Sequence, residues 1–117
     1  MKSKRTPKDY ESADKSHLWH PFTQMREWQN APQLVIERAQ GVYLYDVQGK
    51  KYMDGVSSLW ANIHGHRHPT LIHAVRKQVS RLDHSTFLGL SNIPAIELAE
   101  ALLRIAPANL SRVFYSD

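Results

Sequence analysis

Leu71, Val75, Val79 and Leu82 recur at spacings of four, four and three, with Arg76, Lys77 and Arg81 off that stripe. This period predicts an amphipathic helix opening at Pro69, where a missing N–H costs nothing because the first turn has no partner for it. A second helix is predicted after Ser91 or Asn92 as its cap, with Pro94 in the first turn and Leu98, Leu102 and Ile105 as the buried stripe; Pro107 ends it. Between Leu34 and Asp54 the pattern changes. Leu34–Ala39, Val42–Asp46 and Lys51–Asp54 are rich in β-branched and aromatic residues, and Gly41 and Gly49 punctuate them as turns. A small antiparallel meander is the expected product. Arg112–Tyr115 reads as the start of a further strand.

The ends of the chain read differently. Residues 1–16 hold one aromatic and no aliphatic cluster after Met1, so a flexible lead-in is expected there. From His17 to Met25 aromatic and aliphatic residues crowd around Pro21, too short and interrupted for a regular helix. An irregular, pinned segment is expected. The resulting division is a lead-in at 1–16, a segment with the meander at 17–68, and helices leading into a strand at 69–117. A strand that runs into Asp117 without a successor suggests a portion of a larger α/β protein, cut at a strand-to-helix turn.

Composition removes several classes. With no cysteine there is no disulfide framework, thiolate zinc site, iron–sulfur cluster or cysteine nucleophile. Stretches without strongly polar residues, such as Val56–Ala61, fall far short of the roughly 20 residues that span a bilayer. The basic N-terminus has no apolar core, so it does not read as a secretory signal, and a cytoplasmic protein is expected. The net charge of +4 could suggest nucleic acid, but five of the 15 basic residues lie in the first sixteen positions among Asp9, Glu11 and Asp14. The rest are scattered, which is the pattern of a solvated surface rather than a phosphate-binding stripe.

Candidate chemistry is thin on spacing alone. His64, His66 and His68 would share one side of an extended backbone, as a metal site needs, but Arg67 opposes a cation and Gly65 and Pro69 favour a bent loop. Ser57, His84 and Asp54 could be assembled into a triad, without the Gly-x-Ser-x-Gly elbow that would support it. The five glycines form no phosphate-cradling pattern. Phe22 and Trp60 are open between packing and ligand-wall roles; Trp60 stands between two loops, where side chains more often face a cleft.

Several segments together carry a resemblance. They are His17-Leu-Trp-His-Pro-Phe-Thr-Gln-Met25, Tyr52-Met-Asp-Gly-Val-Ser-Ser-Leu-Trp-Ala-Asn-Ile-His-Gly-His66, His68-Pro69, Pro94–Ala99 and Val113–Asp117. From His17 to Asp117 the chain resembles the N-terminal portion of class III pyridoxal-phosphate aminotransferases. The Trp-His-Pro-Phe-Thr-Gln-Met run resembles more narrowly the branch acting on 8-amino-7-oxononanoate in biotin synthesis. The resemblance implies fold type I, an α/β architecture in which this chain would supply the small meander, two helices and the first strand of the large-domain sheet. It also implies a homodimer, small-molecule substrates, and pyridoxal 5′-phosphate as cofactor. The phosphate-binding turn and the Schiff-base lysine would lie beyond Asp117, so none of the seven lysines matches the catalytic position and no catalytic residue is expected here.

What the resemblance assigns to this segment is substrate-pocket wall: Phe22, Leu59 and Trp60, with residues 85–92 reaching the neighbouring subunit's pocket. Two departures stand out. Many members have Tyr at the position of Phe22 and a Trp-Trp pair in place of Leu59-Trp60. Leu59 cannot stack on an adenine, which leaves the amino donor open between S-adenosylmethionine and lysine. Another class III aminotransferase acting on an ω-amino group, and a binding module without catalysis, stand as alternatives.

Overall fold

A computed structural model describes residues 5–116 of the chain. It divides into two units, residues 1–73 and 74–117.

The first unit opens with α1 (Pro7–His17). Thr6 caps it: its Oγ1 accepts the Asp9 amide at 3.3 Å, and its own amide donates to Asp9 Oδ2 at 2.6 Å. Pro7 stands in the first turn, and Lys15 and His17 face the negative end of the helix dipole. The expectation of a flexible lead-in is therefore corrected for residues 7–16; residues 1–4 of it lie outside the described residues. Capping and dipole terms form this helix without an apolar stripe, which is why periodicity did not reveal it. Residues 18–24 are irregular, as expected, and lead into the short α2 (Met25–Asn30). Asp14 pins them. Its two carboxylate oxygens accept His20 Nε2 and Trp28 Nε1, each at 2.9 Å, and the two rings lie 4.2 Å apart. Between α1, Trp28 and Leu34–Val35 lies a cavity of about 350 Å³.

The predicted meander is present as β1 (Ile36–Gln40), β2 (Tyr43–Asp46) and β3 (Lys51–Met53), antiparallel in that order. The register pairs Arg38 with Tyr45 and Leu44 with Tyr52, and it shifts at Glu37. Arg38 lies 3.6 Å over the Tyr45 ring and Lys51 3.5 Å over that of Tyr43, so cations cover the aromatic face. Asp46, 6% exposed, organises the β2–β3 turn. Its Oδ1 accepts the amides of Gln48 and Lys50 at 2.9 and 2.8 Å, and its Oδ2 accepts the Tyr52 hydroxyl at 2.9 Å. Burial works against its ionised form, but the Lys50 amide, the Tyr52 hydroxyl and the Gln48 amide outweigh it and hold the carboxyl below its ordinary value. Asp46→Ala is expected to speed exchange of the Gln48 and Lys50 amides by about tenfold or more, since both lose a charged acceptor. Asp46→Asn, which keeps one acceptor oxygen, should fall between. Unchanged exchange rates in both variants would show that the turn stands without the carboxylate.

The helix predicted from Pro69 is α4 (Pro69–Val79), after the one-turn α3 (Ser57–Trp60) described below.

In the second unit, α5 (Ile93–Ile105) is capped as expected: Asn92 Oδ1 accepts the Ala95 amide at 3.0 Å. Its Nδ2 donates to Ser85 Oγ at 3.2 Å, so one side chain fixes both the loop and the helix start. Two expectations are corrected here. Leu98, Leu102 and Ile105 are exposed, not buried. Residues 111–116 form no strand, because a strand exists only through ladder pairing and no partner lies among the described residues. Instead the Tyr115 hydroxyl donates to the Ala95 carbonyl at 2.6 Å. Asp117 lies outside the described residues.

No apolar side chain among the described residues is buried. The elements are therefore set by local bonds and pairing, while their apolar faces at Val75 and Leu98 stay open. No helix among the described residues is long and apolar enough to cross a membrane.

Candidate functional site

The chain leaves β3 at Met53 and reaches Asp54, whose amide donates to the Val42 carbonyl at 2.9 Å. The anchored residue then turns the chain. Ser57, Ser58, Leu59 and Trp60 take φ values of 51°, 48°, 59° and 69°, four successive non-glycine residues in the left-handed region. Each such residue costs about 1–2 kcal/mol because its Cβ crowds the following carbonyl. Specific bonds offset that cost. Asp54 Oδ1 accepts the Ser58 amide at 2.9 Å and its Oδ2 accepts the Ser58 hydroxyl at 2.8 Å. The Trp60 amide donates to Val56 and the Asn62 amide to Ser57, at 2.9 and 3.0 Å.

His66 completes the arrangement. Its Nε2 lies 2.7 Å from Asp54 Oδ2, and the two side chains are 12% and 5% exposed. The ionised carboxylate only accepts, so the proton is on Nε2 and the imidazole donates. The Ser58 amide and hydroxyl, and then the His66 ring, hold the Asp54 carboxyl at about 2, against the opposing effect of burial. The carboxylate is thus ionised throughout the neutral range. His66 is itself fixed by its backbone, which exchanges hydrogen bonds with Gly41 at 2.8 and 3.0 Å. Gly65 permits that approach: at φ +77°, a Cβ there would stand 3.2 Å from the Gly41 carbonyl oxygen.

The three residues assigned to a substrate wall are all exposed in this structure. Leu59 and Trp60, at 70% and 77% exposure, project from the left-handed turn. Phe22 is fully exposed on its own left-handed residue, at φ 51°, beside Pro21. Leu59 and Trp60 share one turn, whereas Phe22 stands on a separate segment with no ring contact to Trp60 among the described residues. Non-glycine residues in this backbone region cluster where surrounding structure enforces them, often at ligand sites. That both candidate segments carry them is a feature spacing could not reveal.

The other spacing-based candidates resolve differently. Asp54 gives its carboxylate oxygens to Ser58 and His66, not to His84 as a triad on Ser57 would require. The three imidazoles do not line one side: Gly65 and Arg67, at φ 77° and 56°, break the extended backbone, His66 turns to Asp54, and the His64 and His68 rings lie 6.0 Å apart. No group of three His, Cys, Asp or Glu residues among the described residues could hold a metal ion.

Asp54 and His66 were not legible as a pair. Their twelve-residue separation carries no local signal, and only the Asp-Gly and Gly-His-x-His-Pro elements of the resemblance contain them.

The model of aminotransferase class-III matches residues 24–117. The chain is 57% identical over 106 residues to the adenosylmethionine-8-amino-7-oxononanoate aminotransferase of Nitratidesulfovibrio vulgaris, covering 91% of this chain and 20% of that protein. It is 52% identical over 111 residues to the protein of the same name in Aquifex aeolicus, covering 95% and 24%. Among solved structures, the adenosylmethionine-8-amino-7-oxononanoate aminotransferase of Methanocaldococcus jannaschii superposes with a TM-score of 0.88 at 47% identity, over 92% of this chain and 24% of that one. An (S)-enantioselective ω-transaminase from Thermomicrobium roseum superposes at 0.82 with 34% identity, over 90% and 24%. The chain spans about a fifth to a quarter of the length of the curated relatives it matches.

Proposed function

The chain belongs to the class-III aminotransferases, and we propose that it forms the N-terminal part of an enzyme transferring an amino group to 8-amino-7-oxononanoate, giving 7,8-diaminononanoate in biotin synthesis. The observation that carries this reading is the identity of 57% and 52% to relatives bearing that name, against 34%, 37% and 40% to ω-transaminases of similar fold. In this reading the protein is a cytoplasmic homodimer. Pyridoxal phosphate supplies the electron sink for amino-group transfer, and residues outside this segment hold it. This segment contributes recognition. Phe22 and Trp60 offer flat apolar faces to the aliphatic keto substrate, and Leu59 narrows the same wall. In the same reading residues 85–92 reach the neighbouring subunit's pocket, and the exposure of Phe87, Leu88 and Leu90 is what supports this.

The test is the whole enzyme, loaded with pyridoxal phosphate and given 8-amino-7-oxononanoate with one amino donor at a time. Diaminononanoate is the expected product. Turnover of simple ω-amines with no diaminononanoate would assign the chain to the ω-aminotransferases instead. The donor half-reaction reads the aliphatic wall at Leu59. Replacing a stacking surface by leucine penalises an adenine far more than a slim amino acid. Lysine is therefore expected to convert the cofactor to its amine form at least as fast as S-adenosylmethionine does. Rapid conversion by S-adenosylmethionine with none by lysine would mean that Phe22 and Trp60 suffice for the adenine.

A further inference from the structure

We propose that Asp54, locked by His66, is a positioning residue that holds the left-handed Ser57–Trp60 turn and thereby fixes where Trp60 and Leu59 meet the keto substrate. This rests on the reading of Trp60 as substrate wall given above.

Four successive non-glycine residues in the left-handed region do not hold themselves there, because the right-handed and extended regions are lower in energy for each of them. Backbone bonds from Ser57 to Asp54, from Trp60 to Val56, and from Ala61 and Asn62 to Ser57 brace the ends of the turn. The remaining constraint is the Asp54 carboxylate, which takes both polar hydrogens of Ser58, the residue just before Leu59. A lone carboxylate on a loop would swivel. This one is held from both directions, by its amide on Val42 and by the His66 imidazole on Oδ2. The backbone of His66 is in turn paired with Gly41, the residue next to Val42. The β1–β2 hairpin therefore fixes both ends of the Asp54–His66 pair. A defined path runs from the rigid meander to an exposed indole: hairpin to His66 and Asp54, Asp54 to Ser58, Ser58 to Leu59 and Trp60. The left-handed conformation is the reason such a path is needed. Without it the turn would relax and Trp60 would sample many directions, which weakens a pocket wall without unfolding anything.

A double-mutant cycle in the whole, cofactor-loaded enzyme separates positioning from support. Asp54→Ala is expected to raise KM for 8-amino-7-oxononanoate by about tenfold, as expected for loss of an enforced contact geometry, with a much smaller change in kcat. In a Trp60→Ala background the same substitution should add far less, because the larger of the two side chains it positions is gone. Ser58→Ala, which removes one of the two bonds on an exposed residue, is expected to raise KM about threefold, again only when Trp60 is present. It keeps the test readable if Asp54→Ala fails to fold. A lower melting temperature with KM unchanged in Asp54→Ala would overturn the proposal and leave Asp54 a structural residue. Penalties that multiply in the double variant would overturn it as well, because Asp54 would then act independently of Trp60. If Trp60→Ala alone leaves KM unchanged, the wall reading fails first and the positioning role falls with it.

Discussion

On its own, the 117-residue chain is expected to sediment as a mixture of oligomers rather than as a monomer of 13.5 kDa. The reason is the state of its apolar surface. No apolar side chain among the described residues is buried, and the exposed ones include three successive stripe positions of α4, Leu71, Val75 and Val79, together with Leu98, Leu102 and Ile105 on α5. Each large aliphatic or aromatic group left in water forgoes about 1.5–3 kcal/mol of burial, and contiguous faces of this kind mark surfaces that associate. Self-association would recover part of that free energy without any specific partner. Sedimentation velocity across a concentration series checks it. A sharp, concentration-independent monomer peak with dispersed amide resonances would show that the two units bury their apolar faces by themselves in solution, and would overturn the expectation.

Trp60→Ala in the whole enzyme is expected to raise KM for 8-amino-7-oxononanoate by about ten- to a hundredfold while shifting the melting temperature little. An aromatic wall contacts the substrate alike in ground and transition state, so its loss appears in KM more than in kcat. The stability side follows from exposure. A packed core tryptophan would cost about 3–5 kcal/mol on truncation, whereas an indole 77% exposed on a turn supports little of the fold. Alanine also keeps the backbone near its present energy, since tryptophan at φ 69° already bears the left-handed cost. A large thermal loss with unchanged kinetics would return Trp60 to a packing role in the assembled protein.

The elements that rest on local rules were legible from the sequence. The period of Leu71, Val75 and Val79 gave α4, the Asn92 cap and Pro94 gave the start of α5, and Gly41 and Gly49 gave the turns of the meander, because each depends on bonds or steric limits within a few residues. α1 depends on equally local chemistry, and Thr6-Pro7-Lys8-Asp9 is a capping signal present in the sequence. Hydrophobic periodicity does not reveal it, because α1 has no apolar stripe. Family resemblance placed Phe22, Leu59 and Trp60 on a wall, but it could not say what holds them.

That part belongs to tertiary structure. By composition Asp54 could meet any of seven imidazoles, and only the meander, by pairing Gly41 with His66 and Val42 with Asp54, brings the right one to the carboxylate. That carboxylate, once fixed, holds Ser58 and with the backbone bonds around it keeps Ser57–Trp60 in a conformation that the local preference of every residue in it opposes. The sequence by itself determined the pieces whose stability is paid within one turn of chain. The left-handed turn lay outside its reach because its cost is local, whereas the contacts that fix its anchor Asp54 come from Val42 and His66, each twelve residues away.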